Sequence, residues 1–311
     1  MAIPLIIIAG PTAIGKSDAA AELAIKINGE IISADSMQIY KLMDTGTSKP
    51  DTCTRSAVRH HLIDIIYPDE AYSVALYRQD AIRAIEKVHG RGKLPILVGG
   101  TGLYINSIIN KVDFSVGPDH NFREFLEDVA DKKGLSLLSD ALYKIDPVTA
   151  NKLEKNDKKR IIRALEVYYK TGRPISHYNN CSGSIANDRF DLFYFCIYID
   201  RNRLYDKIER RVDIMIQNGL VEEVAKLMSL GYDESLNSMQ AIGYKQMMSY
   251  LKGNIGLEES IQIIKRDTRH YAKRQLTWFK KDKRIQWIAV DDLCRDEIAK
   301  NIIDKLAGIC K

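Results

Sequence analysis

Gly10-Pro11-Thr12-Ala13-Ile14-Gly15-Lys16-Ser17 has the residue types and spacing to hold a phosphate. The pattern is G-x-x-x-x-G-K-[ST]. Its glycines let the backbone curl so that successive N–H groups point at one anion, and a helix starting there adds the positive end of its dipole. Lys16 supplies a point charge, and Ser17 a hydroxyl suited to Mg²⁺. A Gly-rich turn that only caps a helix would look similar, so the flanks decide. Leu5-Ile6-Ile7-Ile8-Ala9 before the loop is apolar and rich in β-branched residues, as in a strand buried on both faces. Ala20, Leu23, Ala24 and Ile27 after it recur at helical spacing, which predicts a strand–loop–helix unit around a bound diphosphate.

A phosphate loop does not name a reaction. Enzymes that hydrolyse nucleoside triphosphates also place an acidic residue on Mg²⁺, at the end of an apolar strand. The best such strand here, Leu94 to Val98, ends in Gly99-Gly100-Thr101, with no Asp. Asp35, just after a short strand predicted over Glu30 to Ser33, is the carboxylate expected to face the loop. That arrangement suits a reaction in which diphosphate departs and no water is activated.

The elements that must position these residues alternate. Gly29 is expected to cap the first helix. Tyr72 to Gly90 reads as a helix with Ala75, Leu76, Ala81, Ile82, Ile85 and Val88 on its apolar side, and Leu192 to Ile199 as a further strand. Strands alternating with helices imply an α/β fold, a parallel sheet flanked by helices. From about 118 to 187 the pattern is helical, with a loop expected over Asn179 to Ser184. Later, Leu204, Ile208, Val212, Met215 and Ile216 share one helix face, and Ile261, Ile264, Thr268, Tyr271 and Ala272 another. The division expected is a core of 1–116 and 188–311, the latter with C-terminal helices, interrupted by a helical insertion over 117–187.

With 311 residues, 45% of them hydrophobic, the chain can bury a sizeable core. Five cysteines, at 53, 181, 196, 294 and 310, lack metal-ligand spacing. They read as small core residues in a reducing compartment. His60 and His61 have no partners at ligand spacing and read as structural. No basic leader is seen, and no apolar run nears the roughly 18–20 residues that span a membrane, so a cytoplasmic protein with no membrane contact is expected. A net charge of +5 decides nothing by itself, but its distribution does. Between Lys265 and Arg284 nine Lys/Arg face two Asp, interleaved with Tyr271, Trp278 and Phe279. Between Lys152 and Arg173 eight Lys/Arg face three acids, beside Tyr168 and Tyr169. Cations that neutralise phosphates among aromatics that can stack on bases fit RNA. Solvated helix faces and core aromatics would give the same runs.

At Asp35-Ser36-Met37-Gln38-Ile39-Tyr40 the chain resembles the bacterial tRNA dimethylallyltransferases, or tRNA isopentenyltransferases. The resemblance extends over Gly10–Ser17, His60-His61-Leu62-Ile63-Asp64, Gly99-Gly100-Thr101-Gly102-Leu103-Tyr104, Gln240-Ala241-Ile242-Gly243-Tyr244-Lys245 and Tyr271 to Phe279. Each block is weak alone; six in order are specific. The resemblance implies a P-loop NTPase-like core plus a helical insertion domain. It also implies transfer of the dimethylallyl group of dimethylallyl diphosphate to the exocyclic N6 amine of the adenosine immediately 3′ of a tRNA anticodon. Diphosphate is released, and Mg²⁺ and a monomer are expected.

Residue by residue, it implies that Gly10 to Ser17 bind the diphosphate, with Ser17 on the metal. Asp35 is the general base, Thr101 lies at the reacting centre, and Arg211 rather than its neighbour Arg210 grips the leaving group. It implies tRNA contacts from Asp35, Ser36, Met37 and Gln38; from Arg123, Lys159, Arg160, Ile161, Ile162 and Arg163; from Gln240, Ala241, Ile242, Gly243, Tyr244 and Lys245; and from Lys273, Arg274, Gln275, Trp278 and Lys280. The rivals are an isopentenyltransferase on free adenine nucleotides, a P-loop small-molecule kinase, and a non-catalytic RNA-binding protein.

Overall fold

The computed structural model describes residues 2–111, 116–182 and 187–309. The chain forms two compact units. One comprises Met1–Asn106 with Asp188–Lys311, the other Ser107–Asn187.

In the larger unit six strands form one sheet: β1 (Ile3–Ala9), β2 (Gly29–Ser33), β3 (His60–His61), β4 (Leu94–Gly99), β5 (Phe190–Tyr198) and β6 (Gln286–Ala289). Their order is β3-β2-β4-β1-β5-β6, and every pairing is parallel. Helices α1 (Lys16–Lys26), α2 (Thr52–Ala57), α3 (Val74–Gly90) and α4 (Gly102–Ile109) follow the first four strands. The smaller unit holds α5 (His120–Lys133), α6 (Leu135–Ile145), α7 (Pro147–Ala150), α8 (Lys158–Thr171) and α9 (Ile175–Ser182). After β5 come α10 (Arg201–Gln217), α11 (Leu220–Ser229), α12 (Tyr244–Leu251) and α13 (Leu257–Phe279), and after β6 comes α14 (Arg295–Ile309).

Leu5, Ile6, Ile7, Ile8 and Ala9 are all buried, because β1 lies mid-sheet with helices on both faces. Its register sets Ala9 opposite Gly99 on one side and Cys196 on the other. The carboxyl ends of the central strands are therefore level, and the loops that leave them meet there. This is the edge at which open parallel α/β sheets bind ligands. Among the described residues no helix is long and apolar enough to cross a membrane.

Several local expectations are corrected. α1 ends at Lys26, Asn28 takes the left-handed turn (φ 53°), and Gly29 already belongs to β2. On α3 Ala81, Ile85 and Val88 are buried as expected, but Tyr77 is buried with them while Leu76 is 44% exposed. The Tyr77 ring stacks on Tyr104 at 3.7 Å, and its hydroxyl donates to the Ser33 carbonyl. Asn179 to Ser182 belong to α9 rather than to a loop; Gly183 and Ser184 lie outside the described residues. β3 and β6 went unanticipated because one is a polar pair and the other a short run after a charged stretch. Cys53 and Cys294 are exposed, so among the described cysteine side chains only Cys196 fits the core reading. Burial pushes the Cys196 thiol up to about 12. The side chain of Cys181, and Cys310 altogether, lie outside the described residues.

The smaller unit packs α5, α6 and α8 around Leu126, Leu138, Leu142, Ile161, Ile162 and Leu165. Inside it Glu166, fully buried, accepts from Arg123 Nε and Nη2 at 2.9 Å each, from Arg163 Nη1 at 2.5 Å and from the Asp119 N–H at 2.5 Å. Burial alone would raise the Glu166 carboxyl, but the two guanidiniums and the amide hold it below its ordinary range.

Candidate active site

The phosphate loop leaves β1 and turns into α1 through Gly15, the N-cap residue, at φ 91°. A side chain there would be strained, so glycine is required. Ala13 also takes a positive φ of 64°. Alternating backbone of this kind turns successive amides toward one point. Gln275 of α13 clamps the loop. Its Oε1 accepts from the Thr12 N–H at 2.9 Å and its Nε2 donates to the Gly100 carbonyl at 2.9 Å. Lys16 Nζ donates to the Pro11 carbonyl at 2.6 Å. Burial first, and the nearby Arg211 second, lower the Lys16 ammonium to about 8.

Asp35 follows β2 in a tight Asx turn. Its Oδ1 accepts from the Met37 N–H at 2.8 Å and the Gln38 N–H at 3.4 Å. Thr101, after β4, holds the same turn: its Oγ1 accepts from the Ser36 N–H at 3.2 Å. From α10, Arg211 donates through Nε to Ser48 Oγ at 3.0 Å, whereas Arg210 is exposed. Burial depresses the Arg211 guanidinium, and Asp35 and Asp18 oppose that shift.

These residues line two cavities. The smaller, about 70 Å³, is polar, with Thr12, Lys16, Ser17, Asp35, Gln38, Ser48, Arg211, Tyr271 and Gln275 on its walls. The larger, about 310 Å³, carries Ile208, Val212, Met215, Ile242 and Ile264, with Met37, Gly46, Thr47, Gln240, Ala241, Thr268 and Arg274. Thr12, Asp35, Arg211 and Tyr271 belong to both. A charged group seated in the first thus has an apolar chamber beside it and one carboxylate between the two. Burial pushes the Tyr271 hydroxyl up to about 12, with Asp35 adding to it; it stays a neutral donor.

No cluster of three or more His, Cys, Asp or Glu with metal-holding geometry occurs among the described residues. Among the oxygen-bearing side chains on the small cavity are the Ser17 hydroxyl and the Asp35 carboxylate. This donor set fits Mg²⁺, which takes one or two protein oxygens and completes its shell with substrate phosphates and water.

The remaining expected site residues divide. Ser36, Met37, Gln240, Ala241, Ile242 and Arg274 line the larger cavity. Lys159, Arg160, Lys245, Lys273, Trp278 and Lys280 are exposed, and the Trp278 ring lies over Gly102. Thr101 lines neither cavity and reaches the site through Ser36. Gly243 is the N-cap of α12. Five of the side chains expected to contact RNA are buried. Ile161 and Ile162 are 1% and 3% exposed, on the core side of α8, and baring each would cost about 1.5–3 kcal/mol. Tyr244 is fully buried, its hydroxyl donating to Glu223 Oε1. Gln38 and Gln275 are also turned inward, Gln38 bonding Ser33, Thr47 and Ser48. Arg123 and Arg163 are committed to Glu166. His60 and His61 are structural as expected: His61 Nε2 lies 2.7 Å from buried Glu30 and His60 Nδ1 2.8 Å from the Val58 carbonyl.

Sequence reasoning passed over the apolar chamber walls and Ser48. The chamber residues come from two helices, α10 and α13, and from the segments around Met37, Gly46 and Gln240 to Ile242, far apart in sequence. The only signal was that Ile208, Val212, Met215 and Thr268, Tyr271 lie on helix faces already picked out as apolar.

Fold and site define an α/β transferase with a P-loop core. The comparisons with known proteins agree. Residues 38–282 match the family described as IPP transferase. A tRNA dimethylallyltransferase from Caldanaerobacter subterraneus subsp. tengcongensis is 50% identical, over 100% of both chains. One from Carboxydothermus hydrogenoformans is 51% identical over 98% of this chain and 97% of the relative. Among solved structures, the full-length tRNA isopentenylpyrophosphate transferase of Bacillus halodurans superposes with a TM-score of 0.72 at 42% identity, covering 98% and 96% of the two chains. A eukaryotic dimethylallyltransferase acting on tRNA gives 0.78 at 32% identity, over 94% of this chain and 75% of that one. The chain belongs to the tRNA dimethylallyltransferase family.

Proposed function

We propose that the enzyme transfers the dimethylallyl group of dimethylallyl diphosphate to the exocyclic N6 amine of the tRNA adenosine immediately 3′ of the anticodon, releasing diphosphate. One observation carries the reading: Asp35 and Arg211 sit on the shared wall of a P-loop phosphate pocket and an apolar chamber. The loop amides, Lys16 and Arg211 seat the diphosphate, and Ile208, Val212 and Met215 take the branched alkyl tail. The target base leaves its stack to reach the chamber, beside Ser36, Met37 and Gln240 to Ile242.

In the transfer the N6 nitrogen bonds to the allylic carbon as the carbon–oxygen bond to diphosphate breaks. The leaving oxygen keeps the electron pair, and the amine proton passes to the Asp35 carboxylate. Lys16 and Arg211 neutralise charge growing on the departing group. Thr101 keeps Asp35 in place by fixing the Ser36 amide. Ser17 would hold Mg²⁺ beside the phosphates, where the ion would supply further charge compensation. Exposed Lys159, Arg160, Lys245, Lys273, Arg274 and Lys280 meet RNA phosphates, and Trp278 offers a stacking face. The enzyme works as a monomer, since one chain walls both cavities, and in the cytoplasm, where tRNA acceptors are made.

The test is nucleoside mass spectrometry after incubation with dimethylallyl diphosphate and unmodified tRNA. An adenosine heavier by one dimethylallyl group, next to the anticodon, is expected. Prenylation of AMP in place of tRNA, or transfer of a γ-phosphate to a small molecule, would overturn the reading.

A further inference from the structure

Glu223, on α11, lines neither cavity, yet its carboxylate accepts four hydrogen bonds. Oε2 accepts from the Asp44 and Thr45 N–H groups at 3.0 and 2.8 Å. Oε1 accepts from the Gly46 N–H at 3.2 Å and the Tyr244 hydroxyl at 2.6 Å. Three successive backbone amides on one carboxylate form a charge-assisted anchor. The Tyr244 ring closes the clasp from above: a Cβ on Gly46 would stand 2.4 Å from it, so no residue but glycine fits.

The clasped loop, 43–49, is gripped from its other side too. Gln38 Nε2 donates to the Thr47 and Ser48 carbonyls at 3.4 and 3.3 Å. Buried Lys49 Nζ donates to the Tyr40 carbonyl and to Asp44 and Asp64. What the loop presents to the site is Gly46 and Thr47, on the wall of the apolar chamber, and the Ser48 hydroxyl, which takes Arg211 Nε at 3.0 Å. An arginine side chain is long and flexible, and a displacement of about 1 Å at a reacting centre can cost about 100-fold in rate. The continuous path is Glu223 to the 44–46 amides, to Ser48, to Arg211.

We propose that Glu223 is a positioning residue for the transfer: together with Tyr244 it seats the 43–49 loop so that Ser48 aims the Arg211 guanidinium at the departing diphosphate. This rests on the reading of Arg211 given above. It also gives Tyr244, which is fully buried, a reason to stand two residues after chamber residue Ile242.

Steady-state kinetics of Glu223→Gln, Ser48→Ala and the double variant test it. Gln offers one accepting oxygen and sets an NH₂ against backbone donors, so the anchor slips while the shape stays. The expected result is a kcat about tenfold lower for E223Q, with KM for both substrates within about threefold of wild type. S48A is expected to match it, and the double variant to be no worse than either, because the two act in series. Glu223→Asp, which keeps the charge, recovers part of the loss, and Glu222→Gln, the exposed neighbour, behaves as wild type. If E223Q melts near the assay temperature, Tyr244→Phe removes one hydroxyl, keeps the ring, and lowers kcat about threefold. A folded E223Q or Y244F with wild-type kcat overturns the proposal, as do E223Q and S48A losses that multiply. A wild-type enzyme that forms no prenylated nucleoside in the same assay overturns the functional reading, and this inference with it.

Discussion

Arg123 and Arg163 in the helical unit converge on one buried carboxylate, Glu166. In the sheet unit Lys16 and Arg211 have no ion-pair partner among the described residues; they bond a carbonyl and a hydroxyl instead. The first arrangement satisfies itself. The second leaves buried positive charge directed at a cavity, with an ammonium lowered to about 8 by burial and a neighbouring cation. Desolvated charge without a counterion opposes folding, and such groups gather where a ligand brings the opposite charge. By this contrast the cations of α5 and α8 are spent inside the fold, and those of the P-loop and α10 are left for an anionic ligand, which in the proposed function is the diphosphate.

The largest expected effect breaks the sheet-unit half of the contrast. Asp35→Ala should lower transfer by up to about 10⁴-fold, the upper range for loss of a general base, while tRNA affinity measured by filter binding stays near wild type. Equal losses in both would mean that Asp35 binds RNA and does no proton transfer. Next in size, Arg211→Gln should lower kcat by about 10²–10³-fold, as when one preorganised charge on a developing anion is removed. Arg210→Gln, one residue along and exposed, should change little.

The helical-unit half is tested by Glu166→Gln. Arg123 and Arg163 are each about one-third exposed along the side chain (36% and 35%) and can find water. The loss in unfolding free energy is therefore about 2 kcal/mol, below the full cost of stranding a buried charge. Its pH dependence has a definite sign. The Glu166 carboxyl is held below its unfolded value. Its contribution is thus complete above the ordinary carboxylate range and is lost as pH falls through the lowered folded value. Acid unfolding of the wild type should show this dependence, and the variant should lack it. Identical acid profiles would remove Glu166 from the fold's support.

Legibility in the sequence followed the locality of the physics. The P-loop, α1 and the central strands β1, β4 and β5 were readable because spacing and unbroken apolar runs encode them within a few residues. Asp35 was readable because it lies just after a strand beside that loop. On α8 the resemblance implies one RNA-contacting run, Lys159, Arg160, Ile161, Ile162 and Arg163, and takes no account of helical period. A helix turns consecutive residues to different sides, so the two isoleucines went to the core and Arg163 to Glu166. Tyr244 and Gln275 failed for another reason: their partners, Glu223 and the Thr12 and Gly100 backbone, are distant in sequence. Nothing local separates a polar group that will be spent inside the protein from one left for a ligand.

The subtlest prediction concerns Lys16. Its folded ammonium value is lowered from 10.5 to about 8, so the substrate-free protein loses that charge at a lower pH than the unfolded chain does. Diphosphate needs it charged. Below pH about 8 the charge is in place and affinity for dimethylallyl diphosphate should be flat. Above it, binding must take up a proton, and KM for the diphosphate should rise toward tenfold per pH unit, about 1.4 kcal/mol each. Folding carries the reciprocal signature. The lowered base opposes folding in full below about 8, where both states carry the proton, and the penalty is relieved between about 8 and 10.5, where only the unfolded chain holds it, so stability of the substrate-free protein should rise across that window. Lys16→Met removes both the KM rise and the gain in melting temperature, while paying for it in diphosphate affinity. A wild-type KM that stays level to pH 10 would show that Lys16 is charged throughout and that Arg211 does not crowd it.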